Sequence, residues 1–214
     1  MSKIKQNYHH GSLRETLLSA GEAVLTEKGF RGFTLRACAR RAGVSHAAPK
    51  HHFGDTRGFL TELAAMGFDR LTKHLLDGLS GAEDLDAEFL AITQAYSTFT
   101  VHYPEHFRIM FRGDLLDLAS SRLKSAARKT LSELTNVILR QRGEPEVAVE
   151  ELDQRVHLED VMSDIVIGWC YVHGYAHLML EKQFPALSKT QEERILRNSS
   201  ERVSHLIQRK KNVR

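Results

Sequence analysis

Two pairs of histidines have a spacing that could hold a metal ion. His102 and His106, like His173 and His177, are four residues apart, which places each pair on one face of a helix. A zinc site needs at least a third protein ligand, and neither pair has an obvious one in the sequence. We therefore predict no metal site and interpret these histidines as core or surface residues.

Patterns typical of an enzyme are absent from the sequence. It contains no glycine-rich phosphate-binding loop, no nucleophile elbow and no paired cysteine and histidine. The two cysteines, Cys38 and Cys170, lie in unrelated contexts, and we interpret both as reduced thiols, with Cys170 as a buried residue beside Trp169. The sequence thus predicts neither catalysis nor a bound cofactor.

Positive charge is concentrated near the N-terminus. Residues 1–60 contain ten lysines and arginines, four acidic residues and five of the twelve histidines, whereas the rest of the chain carries a net charge of −3. A compact basic module on a mildly acidic body suggests a polyanionic partner for one end of the molecule. Residues 1–10 form a basic arm that could follow a polyanion or simply remain solvated.

Composition and hydropathy indicate a globular protein of the cell interior. Of the 214 residues, 42% are hydrophobic and 27% charged, the balance of an ordinary globular chain. The first twenty residues are polar and basic, so no signal peptide is expected. The longest uncharged run, residues 165–180, is too short and too polar for a membrane span. We expect a cytoplasmic protein with no membrane partner.

Apolar residues recur at helical spacing along most of the chain and predict an all-α fold of about nine helices with no strand. The bounds follow from capping and turn residues. The predicted helices run from Ser12 to Gly29, Thr34 to Gly43, Ser45 to Phe53, about Thr56 to Leu79, about Leu85 to His102, Pro104 to Phe111, 115 to 142, about Val147 to Gln183, and from Ser188 onward.

The second and third predicted helices are short and are separated by a glycine-containing turn. This arrangement, supported by a longer preceding helix, is typical of a helix-turn-helix. Thr34 and Ser45 are the predicted N-caps. Pro49 then lies at the edge of the first turn of the third helix, where a proline costs little.

The segment GFRGFTLRACARRAGVSHAAPKHHFGDTRGFL resembles the helix-turn-helix of the tetracycline-repressor (TetR) family of bacterial transcription regulators. The order T-x-R-x-x-A-x-x-A-G-V-S, followed by H-F-G-D, carries the resemblance. Further along, Trp169, His173 and Gly174 resemble the signature of one subgroup of C-terminal domains. The resemblance implies an all-helical homodimer that binds a palindromic double-stranded DNA operator and releases it when a small molecule enters the C-terminal domain.

Two positions depart from the family pattern. Lys50 stands where relatives usually carry a tyrosine that contacts a DNA phosphate, and Thr56 stands where they carry a lysine. Lys50 can still bind phosphate as a point charge, and Arg57 can replace the missing lysine. A helical ligand carrier or adaptor that has lost specific DNA binding is the alternative that these departures leave open.

The motif predicts the DNA-binding residues. We expect His46 and Ala47 at base edges, Ala47 offering its methyl group to thymine, with Lys50 and His51 near phosphates or guanine acceptors. Thr34 caps the second helix and can also contact phosphate. The complete predicted set is Thr34, Arg36, Ser45, His46, Ala47, Lys50, His51 and Arg57.

A stripe of aromatic and aliphatic residues predicts a pocket for a small apolar or aromatic effector, although each residue could equally belong to the core. Tyr96, Trp169 and His173 are the strongest candidates because each combines apolar bulk with a polar tip. The complete predicted set is Phe89, Ile92, Tyr96, Phe99, Phe107, Met110, Phe111, Ile165, Trp169 and His173.

We predict two domains, residues 1–54 for DNA binding and residues 55–214 for ligand binding and dimerisation. The dimer is expected to form an isologous four-helix contact through faces of residues 161–182 and 190–207, with Leu206 and Ile207 in the interface.

Overall fold

The computed structural model describes residues 10–156 and 158–208, and this part of the chain contains ten α-helices and no strand. The all-α prediction is therefore confirmed. The helices are α1 (His10–Lys28), α2 (Leu35–Ala42), α3 (Ala48–Phe53), α4 (Thr56–Leu79), α5 (Leu85–His102), α6 (Pro104–Met110), α7 (Ser121–Gln141), α8 (Leu152–Val156), α9 (Glu159–Leu180) and α10 (Lys189–Gln208).

The helices form two compact units. The first comprises the chain up to Gly67 together with Glu105–Lys124, and the second comprises Phe68–Pro104 together with the chain from Ser125 onward. The predicted functional boundary after residue 54 stays a prediction. The compact unit that holds the helix-turn-helix extends beyond it, because Thr61 of α4 accepts a hydrogen bond from the backbone N–H of Asp117.

The first unit is built around aromatic side chains. Phe59 of α4 is fully buried and its ring lies 4.1 Å from that of Phe53 and 5.3 Å from that of Phe33, measured between centroids. Phe53 is the last residue of α3, and Phe33 immediately precedes the N-cap of α2. The helix-turn-helix is thus attached to α4 at both of its ends.

In the second unit α5 packs against both α9 and α10. Its side chains Phe89, Tyr96 and Phe99 are almost completely buried. On α9, a Cβ at Gly168 would lie 2.7 Å from Cδ1 of Ile138 on α7. Glycine at this position therefore allows α9 to approach α7 closely.

Some predicted helix starts are correct and others are wrong. Thr34 caps α2, and Ser188 and Gln191 form the predicted capping box of α10. In contrast, Ser12 lies inside α1 rather than at its start. Ser45 does not cap α3, which begins at Ala48.

The helix predicted over 115–142 begins only at Ser121. The preceding segment forms turns whose backbone groups are bound by side chains of α4 rather than by helical partners. Arg57 donates to the carbonyls of Asp114 and Leu116, and Thr61 accepts from the N–H of Asp117. Since these contacts come from another helix, local sequence periodicity could not reveal them.

The long helix predicted over 147–183 is also wrong, because the chain is interrupted before α9. The side chain of Asn136 on α7 pairs with both backbone groups of Val147, at 3.0 and 3.2 Å. Arg128 donates to the carbonyl of Val149 at 2.8 Å. These α7 side chains hold the segment in short turns, and the continuous helix starts at Glu159.

A nearly buried guanidinium joins the end of α7 to the start of α9. Arg142 donates to Glu144 and Asp160, both at 2.7 Å, and to Asp164, whose side chain is fully buried. A buried carboxylate requires such a partner because desolvating a charge is costly. Arg142 therefore holds the first turns of α9 in place.

We expect Arg142→Met to lower the free energy of unfolding by about 3 kcal/mol, because Asp164 is left buried without its cation. Urea unfolding followed by circular dichroism measures the change. The matched control, Arg41→Met, breaks an exposed pair with Glu27 and should cost no more than about 1 kcal/mol.

The double variant Arg142→Met, Asp164→Leu should recover most of the loss, because it removes the stranded charge as well. If Arg142→Met costs no more than the control, the guanidinium does not anchor α9.

Candidate functional site

The turn between α2 and α3 depends on a glycine. Gly43 ends α2 with φ +67°, a left-handed conformation that glycine adopts without strain. Its N–H donates to the carbonyl of Arg40, and that of Val44 donates to the carbonyl of Ala39. These bonds terminate α2 and redirect the chain towards α3, so the α2–α3 turn is set by local sequence.

The start of α3 lies later than predicted. Ser45 contributes its carbonyl to a turn with the N–H of Ala48, and its side chain caps nothing. Pro49 then occupies the first turn of the helix and is buried, a position where its missing N–H has no cost. Ser45, His46 and Ala47 therefore form an exposed turn in front of α3.

The end of α3 is held by Arg14 of α1. Its guanidinium lies 5.3 Å from the centroid of the Phe53 ring and forms an ion pair with Glu62 at 2.6 Å. Because Phe53 itself is buried, α3 has a fixed inner side and an exposed outer side. Lys50 and His51 are both exposed.

All eight predicted DNA-binding residues are exposed in the first unit. Seven of them lie on α2, on α3 or next to these helices, which places them together around the helix-turn-helix. The eighth, Arg57, belongs to α4 and donates to the carbonyls of Asp114 at 3.1 Å and Leu116 at 3.4 Å. Its guanidinium is thus already engaged in holding the 114–116 turn.

One basic residue of this surface was not predicted. Arg40 is exposed and forms no ion pair with the residues that the structure describes, and the same holds for Arg36 one turn earlier. Arg41, by contrast, pairs with Glu27 at 2.5 Å. The four-residue spacing of Arg36 and Arg40, which puts them on one face of α2, is a sequence signal that could have identified Arg40.

The predicted basic arm lies outside the described residues, except that His10 is the first described residue of α1. Lys3, Lys5 and His9 are therefore given no structural account.

The predicted effector residues divide between the two compact units. Phe107, Met110 and Phe111 belong to the first unit, whereas the other seven belong to the second. Phe107 and Met110 are buried in the first unit, and Phe111 is 37% exposed. Helical spacing alone could not show that α6 packs into a different unit from α5.

Most of the remaining residues belong to the core of the second unit, whereas Trp169 is 39% exposed. Phe89, Ile92, Ile165 and Trp169 line a cavity of only about 10 Å³, about the space of a single water. A ligand larger than a water molecule would have to displace these side chains.

A polar group lies within this core. The hydroxyl of Tyr96 lies 3.0 Å from Nδ1 of His173 and also hydrogen-bonds the Trp169 side chain. Burial raises the pKa of Tyr96, which keeps its hydroxyl protonated, although the Trp169 bond opposes that shift. The structure thus joins the three strongest effector candidates in one hydrogen-bonded cluster, the Tyr96–Trp169–His173 cluster.

One side of α9 carries apolar residues that nothing in the described chain covers. Met162, Val166 and Trp169 are 38–45% exposed and follow one another at helical spacing. Cys170 is also exposed, so the prediction that it is buried is wrong. A face of this kind on a helix is typical of an interface.

On α10 the two predicted interface residues differ. Leu206 is 52% exposed, but Ile207 is completely buried within the protomer. The assignment of Ile207 to the dimer interface is therefore wrong, because this side chain belongs to the core.

Neither histidine pair belongs to a metal-binding group. Within the described ranges, no cluster of three or more His, Cys, Asp or Glu side chains could hold a metal ion. Among the same residues, no helix is long and apolar enough to cross a membrane.

Burial lowers the pKa of His173, and the nearby His177 lowers it further. The unfolded chain, with a histidine pKa near 6.5, therefore takes up a proton before the folded one does. The stability that neutral His173 contributes is fully present above this pH and is lost as the pH falls below it.

We expect the thermal unfolding temperature to decrease when the pH is lowered from about 7.5 to about 5.5. The decrease should be smaller in His173→Asn. His74, whose pKa is also lowered by burial, keeps part of the dependence. Differential scanning fluorimetry at both values makes the comparison. Equal dependence in the variant and the parent would mean that His173 does not resist protonation.

Two parts of the chain match models of known protein families. Residues 17–63 match the model of the tetR family of bacterial regulatory proteins, and residues 89–199 match that of the tetracyclin repressor-like C-terminal domain. No curated protein sequence matches the chain.

Solved structures share the fold along nearly the whole chain. A Rhodococcus sp. RHA1 protein of unknown function is 28% identical, with a TM-score of 0.74 over 94% of this chain and 98% of its own. The fatty acid degradation regulator FadR from Bacillus halodurans is 13% identical, with a TM-score of 0.62 over 93% and 96%. A tetR-family regulatory protein from Rhodococcus RHA1 is 14% identical, with a TM-score of 0.60 over 91% and 96%.

Proposed function

The chain belongs to the tetR family of bacterial regulatory proteins, and from this premise we propose that it binds a palindromic DNA operator as a homodimer, represses transcription there, and is released by a small apolar or aromatic effector. Membership of the family supports a DNA-binding regulator. The operator, the dimer, the repression and the effector are the proposed parts.

The observation that carries the proposal is the exposed, positively charged surface around α2 and α3. Arg36, Arg40 and Lys50 have no ion-pair partner among the described residues. Charges left without internal partners on a rigid support can neutralise phosphates and release counterions. This surface thus supports binding of a polyanion.

Sequence readout is assigned to the exposed turn in front of α3. In a helix-turn-helix the N-terminal part of the second helix reaches the base edges of the major groove. We assign base contacts to His46 and Ala47, and phosphate or guanine contacts to Lys50 and His51. We assign contacts with the phosphates of the DNA backbone to Thr34 and Arg36, at the start of α2.

Binding selection from randomised duplex DNA at two salt concentrations tests this function. We expect an inverted-repeat site with affinity well above non-specific binding, as a symmetric dimer requires. Recovery of no consensus, with only weak salt-sensitive binding, would favour a helical ligand carrier or adaptor. The engagement of Arg57 with the 114–116 turn is the observation that favours this second candidate.

On the selected site, Lys50→Ala should weaken binding and reduce the slope of log affinity against log salt by about one unit, because one phosphate contact is lost. Fluorescence anisotropy over a salt series measures the slope. Lys73→Ala is the matched control, since it removes the same charge from a lysine paired with Asp77 in the second unit. An unchanged slope in Lys50→Ala would remove Lys50 from the interface.

The dimer is assigned to the uncovered face of α9, with Leu206 of α10 contributing. The same apolar patch on two copies can bury itself across a two-fold axis. We therefore replace the predicted interface pair Leu206 and Ile207 by Leu206 together with Met162, Val166 and Trp169.

We expect Val166→Glu to yield monomers, because a dimer would have to bury the new charge. Sedimentation velocity measures the mass in solution. The control is Leu118→Glu, which introduces the same charge at a residue of the first unit that is 60% exposed and should leave the dimer intact. A dimer that survives Val166→Glu would place the interface elsewhere.

Release by an effector is proposed as a shift between two packings of the second unit. Because the cavity beside Phe89 and Trp169 is almost closed, a ligand that enters it must favour a state with α5 and α9 rearranged. If that state fits the two half-sites less well, the ligand weakens DNA binding, and DNA weakens ligand binding to the same extent.

A further inference from the structure

A second cavity lies at the other end of α9, away from the predicted effector core. It has a volume of about 250 Å³ and is lined by the end of α9, the segment after it and the start of α10. We call it the α9–α10 pocket and define it by six of its lining residues, Tyr175, Met179, Lys182, Phe184, Glu192 and Ile195. Its volume is somewhat below the range of about 300–1,000 Å³ typical of drug-sized ligands.

The walls of the α9–α10 pocket are held by packing and capping. Met179 and Phe184 pack against a buried cluster that includes Tyr175, and the rings of Tyr175 and Phe184 lie 5.4 Å apart. On the opposite side, Ser188 and Gln191 fix the start of α10 through their reciprocal hydrogen bonds. The pocket is therefore preformed, and a ligand need not order its walls.

Lys182 occupies a position where glycine is favoured. It has φ +51°, and the bonds that end α9 run from its N–H to the carbonyl of Met179 and from Gln183 to Leu178. Such a helix end usually carries glycine, because a side chain in this conformation is strained. Lys182 also forms no ion pair with any residue in the described part of the chain. The chain thus keeps an exposed lysine without an ion pair at the edge of the pocket, despite the strain.

Tyr175 provides a second polar group, a hydroxyl that can form a further hydrogen bond. The residue is only 9% exposed, and within residues 10–156 and 158–208 its hydroxyl has no hydrogen-bond partner. Burial, with the nearby Tyr171 and Glu192, raises its pKa, so the hydroxyl keeps its proton and can donate it in a hydrogen bond. Although most of the side chain is buried, the hydroxyl oxygen itself keeps contact with solvent, so a ligand oxygen in the pocket can accept its hydrogen bond in place of water.

We propose that the α9–α10 pocket binds a small amphipathic carboxylate, with an aliphatic or aromatic body. The body packs among Met179, Phe184 and Ile195, and the carboxylate accepts hydrogen bonds from the Lys182 ammonium and the Tyr175 hydroxyl. Glu192, whose carboxylate lines the same pocket, opposes any second negative charge, which limits the ligand to a monoanion. This site is separate from the predicted effector core and does not depend on DNA binding.

Calorimetry of the full chain with three probes of equal size tests the proposal. The probes are 4-phenylbutyrate, 4-phenylbutanol and 4-phenylbutylamine, which share a body and differ in the charge of the head. We expect the acid to bind about tenfold more tightly than the alcohol, as one charge-assisted hydrogen bond provides, and the amine to bind most weakly. Tightest binding of the amine, or no binding of the acid, overturns the proposal.

Lys182→Gly isolates the ammonium without endangering the fold. Because glycine accepts the left-handed conformation, the variant should unfold at a higher temperature than the parent. It should bind the acid about tenfold more weakly and the alcohol equally well, whereas Lys182→Arg should still prefer the acid. Undiminished acid binding by Lys182→Gly would exclude Lys182 as the anchor.

Ile195→Trp locates the site by filling the pocket from α10. We expect it to abolish binding of both the acid and the alcohol while the helical content stays unchanged. Binding of both probes at parental strength would place the ligand elsewhere and overturn the assignment. Because no DNA is present in these measurements, their failure leaves the proposed operator binding unaffected, and the reverse also holds.

Discussion

The packing of the second unit depends on a carboxylate that is buried away from water. Asp164 is fully buried on α9, and the guanidinium of Arg142, directly after α7, offsets the cost of burying that charge. The same guanidinium binds Asp160, so it sets where α9 begins and how it is rotated. With that rotation, Ile165 and Gly168 face the core and Val166 remains exposed. The Arg142 ion pairs thus act together with the packing of Ile165 and Gly168 in fixing which face of α9 is core and which is exposed.

The two units differ in the chemical character of the groups that they present. The first presents exposed basic side chains on short helices held by aromatic packing around Phe59, and rigid support of this kind lets polar groups meet a ligand without first being ordered. The second unit has an apolar core in which α5 is covered by α9 and α10, and the hydrogen bond between Tyr96 and His173 lies beside that core. A charged outer surface suits a polyanion, whereas an apolar body suits small molecules and a second copy.

Two cavities of the second unit differ in how accessible they are to a ligand. The space beside Phe89 is nearly closed, so a ligand there must move packed side chains and can therefore shift the conformation of the unit. The α9–α10 pocket is open and its walls are capped and packed, so a ligand there needs little rearrangement. Ligand binding in a closed cavity can change the conformation of the unit, whereas a preformed pocket can bind a ligand without such a change.

The sequence by itself determined the features that rest on local chemistry. Thr34 as a cap, Gly43 in the left-handed conformation, the capping box of Ser188 and the helical periodicity all act within a few residues, and together they identify the helix-turn-helix and the family. Tertiary structure decided the rest. Side chains of α7 interrupt the helix predicted over 147–183. Phe107 and Met110 of α6 belong to the first unit, and Ile207 is core although Leu206 beside it is exposed. The α9–α10 pocket joins residues from two helices and the segment between them. Each of these outcomes depends on contacts between distant parts of the chain, and periodicity carries no information about which distant element will cover a given face.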